Sequence, residues 1–286
     1  MLTVQYQANI LTETQTVFST EKLLKMWVHG KSLATQKLYM RVASAFIEFI
    51  GTDLDKITLD MIQDFATSIS HLAQNTQKTY LSIVKSLISF IHNIGITRFN
   101  PGKAVKAPKS RDALNERILT PEQIKSMIEN TTNPRNKLML QTLYYLGLRV
   151  SELTTLRVRD LVERKEFAQA TIFGKGGKTR VVLMPLWLFN GLKELAAGKD
   201  KGDCVFTSNK KSPFDSSTVR DIVKKAAQSI GVIEASPHWL RHAHASHSLE
   251  NGANISIVSQ SLGHASLATT SRYIHNRPDV GSALFL

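Results

Sequence analysis

Between Asn100 and Lys109 the chain reads Asn-Pro-Gly-Lys-Ala-Val-Lys-Ala-Pro-Lys, with two prolines, one glycine and three lysines in ten residues. Each proline lacks an N–H and disfavours helical backbone in the residue before it, so no long helix runs through this stretch. The 286-residue chain is thereby divided into two parts, each long enough to bury its own core. The expected boundaries are an N-terminal extension over 1–18, a helical domain over 19–99, a linker over 100–118 and a second domain over 119–286.

Residues 19–95 read as four helices. In the second, Leu38, Val42, Ala45 and Phe49 recur at three- and four-residue steps, predicting a buried stripe with Lys37 and Arg41 off it. Asn75 is the expected N-cap of the fourth. Its apolar stripe runs through Leu81, Val84, Ile88 and Ile91 to a stop at Gly95. Lys78 and Lys85, seven apart, share a face away from that stripe. Singly, such lysines are most simply solvated side chains. Two helices with basic faces, joined by Lys103 and Lys106 in the linker, suit contacts to a phosphate backbone.

Beyond the break, Thr120-Pro121-Glu122 offers an N-cap, a first-position proline and a first-turn acid. Residues 135–146 predict an apolar helix that Gly147 ends, leaving Arg149 at the turn before a helix starting near Ser151. Ala170–Phe173 and Thr179–Leu183 flank Gly-Lys-Gly-Gly-Lys, a hairpin with Lys175 at its tip. Ser236-Pro237 opens a helix on which His238 and Arg241, three apart, share one face. The fold class expected is mainly α with a small β-sheet, an α+β chain.

A net charge of +13 points to a polyanionic partner, and its spread, +4 over residues 1–108 and +9 over 109–286, is not that of a basic tail. Cys204 is the single cysteine, which excludes an intrachain disulfide and a cysteine-based zinc site. His238 and His242 have zinc-pair spacing, but there is no His-Glu-x-x-His and no marked third ligand, so no metal is expected. The glycine-rich turn matches neither nucleotide-binding pattern, and no cofactor is expected. No apolar run is long enough to span a bilayer and no secretory pattern opens the chain, so a cytoplasmic protein is expected.

Arg149, Lys175, His238, Arg241, His264 and Tyr273 remain. Each alone has an ordinary structural explanation. Together, a phenol hydroxyl among two arginines, a lysine and two histidines is what a phosphodiester needs to be cut without a metal. Charge grows on the equatorial oxygens in the transition state, and positioned cations stabilise it.

The strings Gly-Leu-Arg149-Val-Ser-Glu-Leu, Gly-Lys175-Gly-Gly-Lys, His238-Trp-Leu-Arg241-His and Leu-Gly-His264, with Thr269-Thr270 before Tyr273, resemble the tyrosine recombinase (phage integrase) family in order and separation. The likeness runs from about residue 19, and the compact layout looks most like chromosome-dimer-resolving recombinases and simple phage-type integrases. It implies a four-helix core-binding domain followed by a tyrosine-recombinase catalytic domain.

It also implies that Tyr273 attacks phosphorus to form a 3′-phosphotyrosyl link, with neither ATP nor metal. Arg149, Arg241 and His264 would hold the phosphate oxygens. His238 would serve as base or orienting group, and Lys175 would protonate the departing 5′ oxygen. The partners implied are duplex DNA at a specific site and further protomers, two on a site and four in a synapse, in the nucleoid. The alternatives are a type IB-like topoisomerase and a catalytically silent DNA-binding relative. The apolar end Ala283-Leu284-Phe285-Leu286 is expected to dock on a neighbouring protomer when DNA is bound.

Overall fold

The computed structural model describes residues 5–8, 16–106, 118–174, 177–208, 212–264, 266–271 and 273. The chain forms two compact units, Met1–Arg111 and Asp112–Leu286. Lys175, the central part of the expected linker and the C-terminal segment after Tyr273 lie outside the described residues.

In the first unit a short antiparallel hairpin, β1 (Gln5–Ala8) with β2 (Thr16–Ser19), leads into α1 (Thr20–Val28). Then follow α2 (Leu33–Ile50), α3 (Leu59–Ser68) and α4 (Gln74–Asn93). The Ser19 and Ser32 hydroxyls accept backbone N–H groups at the starts of α1 and α2. Leu81, Val84, Ile88 and Ile91 are all buried in one apolar cluster.

The α2 stripe lies elsewhere than its spacing suggested. Val42, Ala43 and Phe46 are buried, while Ala45 is exposed and Phe49 is 45% exposed. Apolar residues occur nearly all round this helix, so periodicity alone leaves its phase open. Packing buries Phe46 completely, its ring edge-on to Phe65 of α3 with centroids 5.1 Å apart, and leaves Phe49 to flank the same ring from the surface at 5.5 Å. Asn75 is not the cap of α4 either: the helix begins one residue earlier, after Ala73, without a side-chain cap.

The start of the expected linker is structured. Pro101–Lys103 makes one 3-10 turn, and Val105 joins the first unit's apolar core. Gly102 packs on α4, where a Cβ would make ordinary contact with the Lys85 backbone at 3.5 Å. Proline forbids a long helix, as expected, but a single turn with its apolar residue turned inward costs little.

The second unit contains α5 (Pro121–Glu129), α6 (Pro134–Tyr145) and α7 (Val150–Thr155). Thr120 and Gln123 cap α5 reciprocally. A three-stranded antiparallel sheet follows in the order β3 (Leu161–Glu163), β4 (Ala168–Phe173), β5 (Thr179–Met184). The hairpin pairing closes at Phe173 opposite Thr179, while β3 was not foreseen. Then come α8 (Leu186–Leu195), α9 (Ser216–Gln228), α10 (Pro237–Glu250), α11 (Ile255–Leu262) and α12 (Leu267–Ser271). Ser236 holds the N-cap position of α10 without a side-chain cap bond. One apolar cluster joins α5–α10 to the sheet, and a smaller one gathers Ala245, Leu249, Val258, Leu262 and Tyr273.

Candidate active site

Four separated strings meet around one buried carboxylate. Glu152, three residues after Arg149, lies in the first turn of α7 with its side chain 2% accessible. Its Oε2 accepts the Arg149 backbone N–H at 2.9 Å, the local half of a capping box. Its Oε1 accepts Arg149 Nη1 at 2.8 Å. Arg180 of β5 then grips both oxygens, Nη1 to Oε1 and Nη2 to Oε2, each at 2.8 Å. Arg241 Nη1 stands 3.9 Å from Oε2, an ion pair without a hydrogen bond. Burial alone would raise the Glu152 pKa; the hydrogen bonds from Arg180 and from Arg149 outweigh it and hold the carboxyl below its ordinary value.

The same three arginines cap the C-terminal end of α11. Arg180 Nε donates to Ser261 O at 2.6 Å, Arg241 Nη2 to Leu262 O at 2.5 Å, and Arg149 Nη2 to Gly263 O at 3.4 Å. Three consecutive carbonyls thus receive three different guanidiniums where the helix dipole is negative. Arg241 also donates Nη1 to Gly147 O at 2.6 Å. Its pKa is pushed down to about 10 by burial and then by the charge of Arg149, yet it stays a cation at neutral pH.

Two glycines make this convergence possible. Gly147, at φ +58°, precedes Arg149, and a Cβ there would lie 2.7 Å from the His244 ring and 2.8 Å from Leu262. Gly263, at φ +65°, precedes His264, and a Cβ there would crowd Arg180 at 3.2 Å. Both need the left-handed region and a close neighbour, which only glycine allows without strain.

His264 Nδ1 is 2.8 Å from the buried Thr270 hydroxyl. Burial first, then Arg241, Arg149 and Arg180, lowers its pKa to about 4. At neutral pH it is therefore uncharged. If Thr270 donates to Nδ1, the ring proton sits on Nε2 as a donor. His238 is exposed at the start of α10. Desolvation, followed by Arg241, Arg149 and Arg220, holds it below the usual imidazole value.

Tyr273 is 6% exposed, and its hydroxyl lies 2.5 Å from Nδ1 of His242. The rings of His238 and His242 are 6.2 Å apart. Arg241 is close enough to the phenol to interact electrostatically with it. Arg149, Arg241, His264 and Tyr273 thus lie close together, with His238 at the edge. The position of Lys175 lies outside the described residues, although the hairpin base is in place: a Cβ on Gly174 would be 3.6 Å from both Glu152 Oε1 and Arg180 Nη1.

Sequence reasoning missed Glu152, Arg180 and Thr270, and considered His242 only as half of a zinc pair. Among the described residues no group of three or more His, Cys, Asp or Glu could hold a metal ion. Two signals were available. Glu152 is in capping-box register with Arg149, and Arg180 shares the inward-facing alternation of Val182 and Met184 on β5.

In the first unit Lys37, Arg41, Lys78, Lys103 and Lys106 are exposed. Lys85 is only half-exposed and donates Nζ to Val105 O at 2.7 Å, so it ties the stretch after α4 to that helix. No described helix is long and apolar enough to cross a membrane.

Residues 117–279 match the phage integrase family. A tyrosine recombinase of Pseudothermotoga lettingae is 36% identical over 261 residues, covering 87% of this chain and 90% of that protein. Tyrosine recombinase XerA of Pyrococcus horikoshii is 32% identical over 252 residues, covering 86% and 84%. Among solved structures, the XerH site-specific recombinase bound to its difH substrate has a TM-score of 0.71 at 21% identity, covering 90% of this chain and 81% of that one. A lambda integrase dimer on a core site has a TM-score of 0.74 at 18% identity, covering 91% and 95%, a likeness of fold. The chain belongs to the phage integrase family, the tyrosine recombinases.

Proposed function

We propose that this member of the phage integrase family cuts and rejoins DNA through Tyr273, with Arg149, Arg241 and His264 holding the scissile phosphate. The chain is a site-specific DNA recombinase. The curated relatives that match nearly its whole length are named recombinases, which favours this activity over the topoisomerase alternative. Duplex DNA and further protomers are its partners in this reading, and the cytoplasm its compartment.

The observation that carries the assignment is the burial of Tyr273 beside Arg241, within the site built on Glu152. Guanidiniums anchored to carbonyls need little reorganisation as charge develops on phosphorus, the condition under which electrostatic stabilisation is largest. Arg149, 30% accessible, retains N–H groups for phosphate oxygens, and neutral His264 adds one more donor. With Nδ1 unprotonated, His242 accepts the phenol O–H and so orients the nucleophile in the DNA-free protein. His238, uncharged at neutral pH, keeps a lone pair for the proton once DNA is bound. Lys175, on the hairpin between β4 and β5, is assigned as the acid for the 5′ leaving oxygen. The exposed Lys37, Arg41, Lys78, Lys103 and Lys106 are assigned to backbone phosphates, and Lys85 to the same face through its remaining donors.

The test begins with a duplex selected from random sequences by affinity for the protein, nicked at successive positions so that the cleaved strand end diffuses away. The wild type should accumulate a covalent protein–DNA adduct. Tyr273→Phe should bind the duplex normally and form none; an adduct with Tyr273→Phe would remove this residue from the role, and none with the wild type would favour a catalytically silent relative. Lys175→Ala should cleave ordinary DNA poorly yet recover on DNA with a 5′-bridging sulfur, because a thiolate leaves without a proton. An equal defect on both substrates would leave the acid unassigned.

A further inference from the structure

Arg180 has no part in the assignments above, yet it touches three of the four strings. It holds both oxygens of Glu152 and the carbonyl of Ser261. It lies directly beneath the Gly263 turn that presents His264, and beside Gly174 at the base of the hairpin that carries Lys175. Its Nε and both Nη atoms are bonded to Ser261 O and to the two oxygens of Glu152, so its fork faces the carboxylate and not DNA.

The geometry around Glu152 shows what such a residue can do. Arg241 Nη1 stops 3.9 Å from Oε2, while Arg180 Nη2 is bonded to that oxygen at 2.8 Å. A buried carboxylate that loses a charge-assisted donor takes the nearest replacement, because an uncompensated buried charge is strongly unfavourable. Here that replacement is Arg241, about an ångström too far away to bond. Moving it would loosen its bonds to Gly147 O and Leu262 O, which set its direction.

We propose that Arg180 is a positioning residue for strand cleavage: by occupying both oxygens of Glu152 it keeps that carboxylate from drawing Arg241 off the scissile phosphate. The idea rests on the assignment of Arg241 to that phosphate.

The test compares the full-length wild type, Arg180→Met, Arg180→Lys, Glu152→Gln and the Arg180→Met/Glu152→Gln double variant on the selected nicked duplex. Duplex affinity, the rate of adduct formation at saturating DNA and the thermal midpoint are measured for each. Arg180→Met should bind DNA nearly as well as the wild type but form adduct about 100-fold more slowly, the cost typical of an ångström-scale misplacement. Arg180→Lys keeps the charge without the fork that spans two oxygens, so it should be only partly active. The double variant should be faster than Arg180→Met, because a neutral amide no longer attracts Arg241. A merely structural arginine would not behave so: a second buried change would leave the rate unchanged or slow it further.

A wild-type rate for Arg180→Met overturns the proposal, as does a double variant no faster than Arg180→Met. If Arg180→Met does not fold, the same comparison is made with Arg180→Lys, alone and combined with Glu152→Gln, and failure of relief there is equally decisive. No adduct with the wild type would instead overturn the functional assignment on which the idea rests.

Discussion

Lys37 and Lys78 stand in water on helices whose fully buried residues are apolar, whereas Arg180 and Arg241 lie inside the second unit with their donors on carbonyls and a carboxylate. Among the described residues of the first unit, the ion pairs of Lys25 with Glu21 and Lys56 with Asp53 are largely solvent-exposed. In the second unit Lys193 and Glu163 make one more exposed pair, but Arg149, Arg180 and Arg241 gather on a carboxylate that is 2% accessible. An exposed cation can follow a phosphate wherever it lies, and its contribution is screened by salt. A buried, bonded cation has already given up its hydration and its freedom, and is fixed for one geometry. The first arrangement suits affinity, the second suits bond cleavage.

The sharpest way to break this comparison is to remove the buried cation. Arg241→Ala should slow adduct formation at least about 100-fold, the loss typical of one preorganised donor. It should also lower the thermal midpoint, because Gly147 O and Leu262 O lose their donor. Arg149→Ala should match it in rate but cost less stability, being 30% accessible. Equal stability losses from both would mean that burial does not separate their roles.

Acid should affect the second unit next. His244 and His264 both have folded pKa values pushed down to about 4, by burial first in each case. Unfolding lets them bind protons that the folded protein refuses. Their contribution is therefore complete above the unfolded value near 6.5 and is lost as pH falls towards 4. Denaturant titrations at pH 7 and 4.5 should show a loss on the order of 3 kcal/mol, discounted for the partial exposure of both rings. His244→Gln should flatten the dependence, and an unchanged slope would discount burial as its cause.

The smallest effect on stability is expected in the first unit. Replacing Lys37, Arg41 and Lys78 by Ala should shift folding stability by no more than about 0.5 kcal/mol per site. It should still weaken DNA binding and reduce the log–log salt slope by up to about one unit per lost phosphate contact. An unchanged slope would make these side chains a solvated face and nothing more.

What the chain shows before folding follows from what is local. Four helices, the hairpin and the caps rest on neighbours within a few residues, so Thr120-Pro121, Gly95 and Gly147 announce element ends directly. The phase of α2 was not legible, because its apolar residues nearly encircle the helix and only burial in the folded core separates Phe46 from Phe49, whose rings both meet Phe65. Nor was it legible that Val105 turns back into the core, since proline and glycine describe where a helix stops and not where the chain goes next.

The site divides in the same way. Order and spacing along the chain, read with the family resemblance, put forward Arg149, Arg241, His264 and Tyr273 as candidates, because a reaction at phosphorus demands cations and a nucleophile and those residue types are visible as letters. Tertiary structure alone decided that Glu152 ties Arg149 to Arg180, that the phenol hydroxyl meets His242, and that three guanidiniums share the carbonyls of Ser261, Leu262 and Gly263. Those partners are separated by between 21 and 114 residues, Arg149 and its neighbour Glu152 apart. Chemistry is written in residue type, but which charge a buried carboxylate holds depends on distances that exist only after the chain has folded.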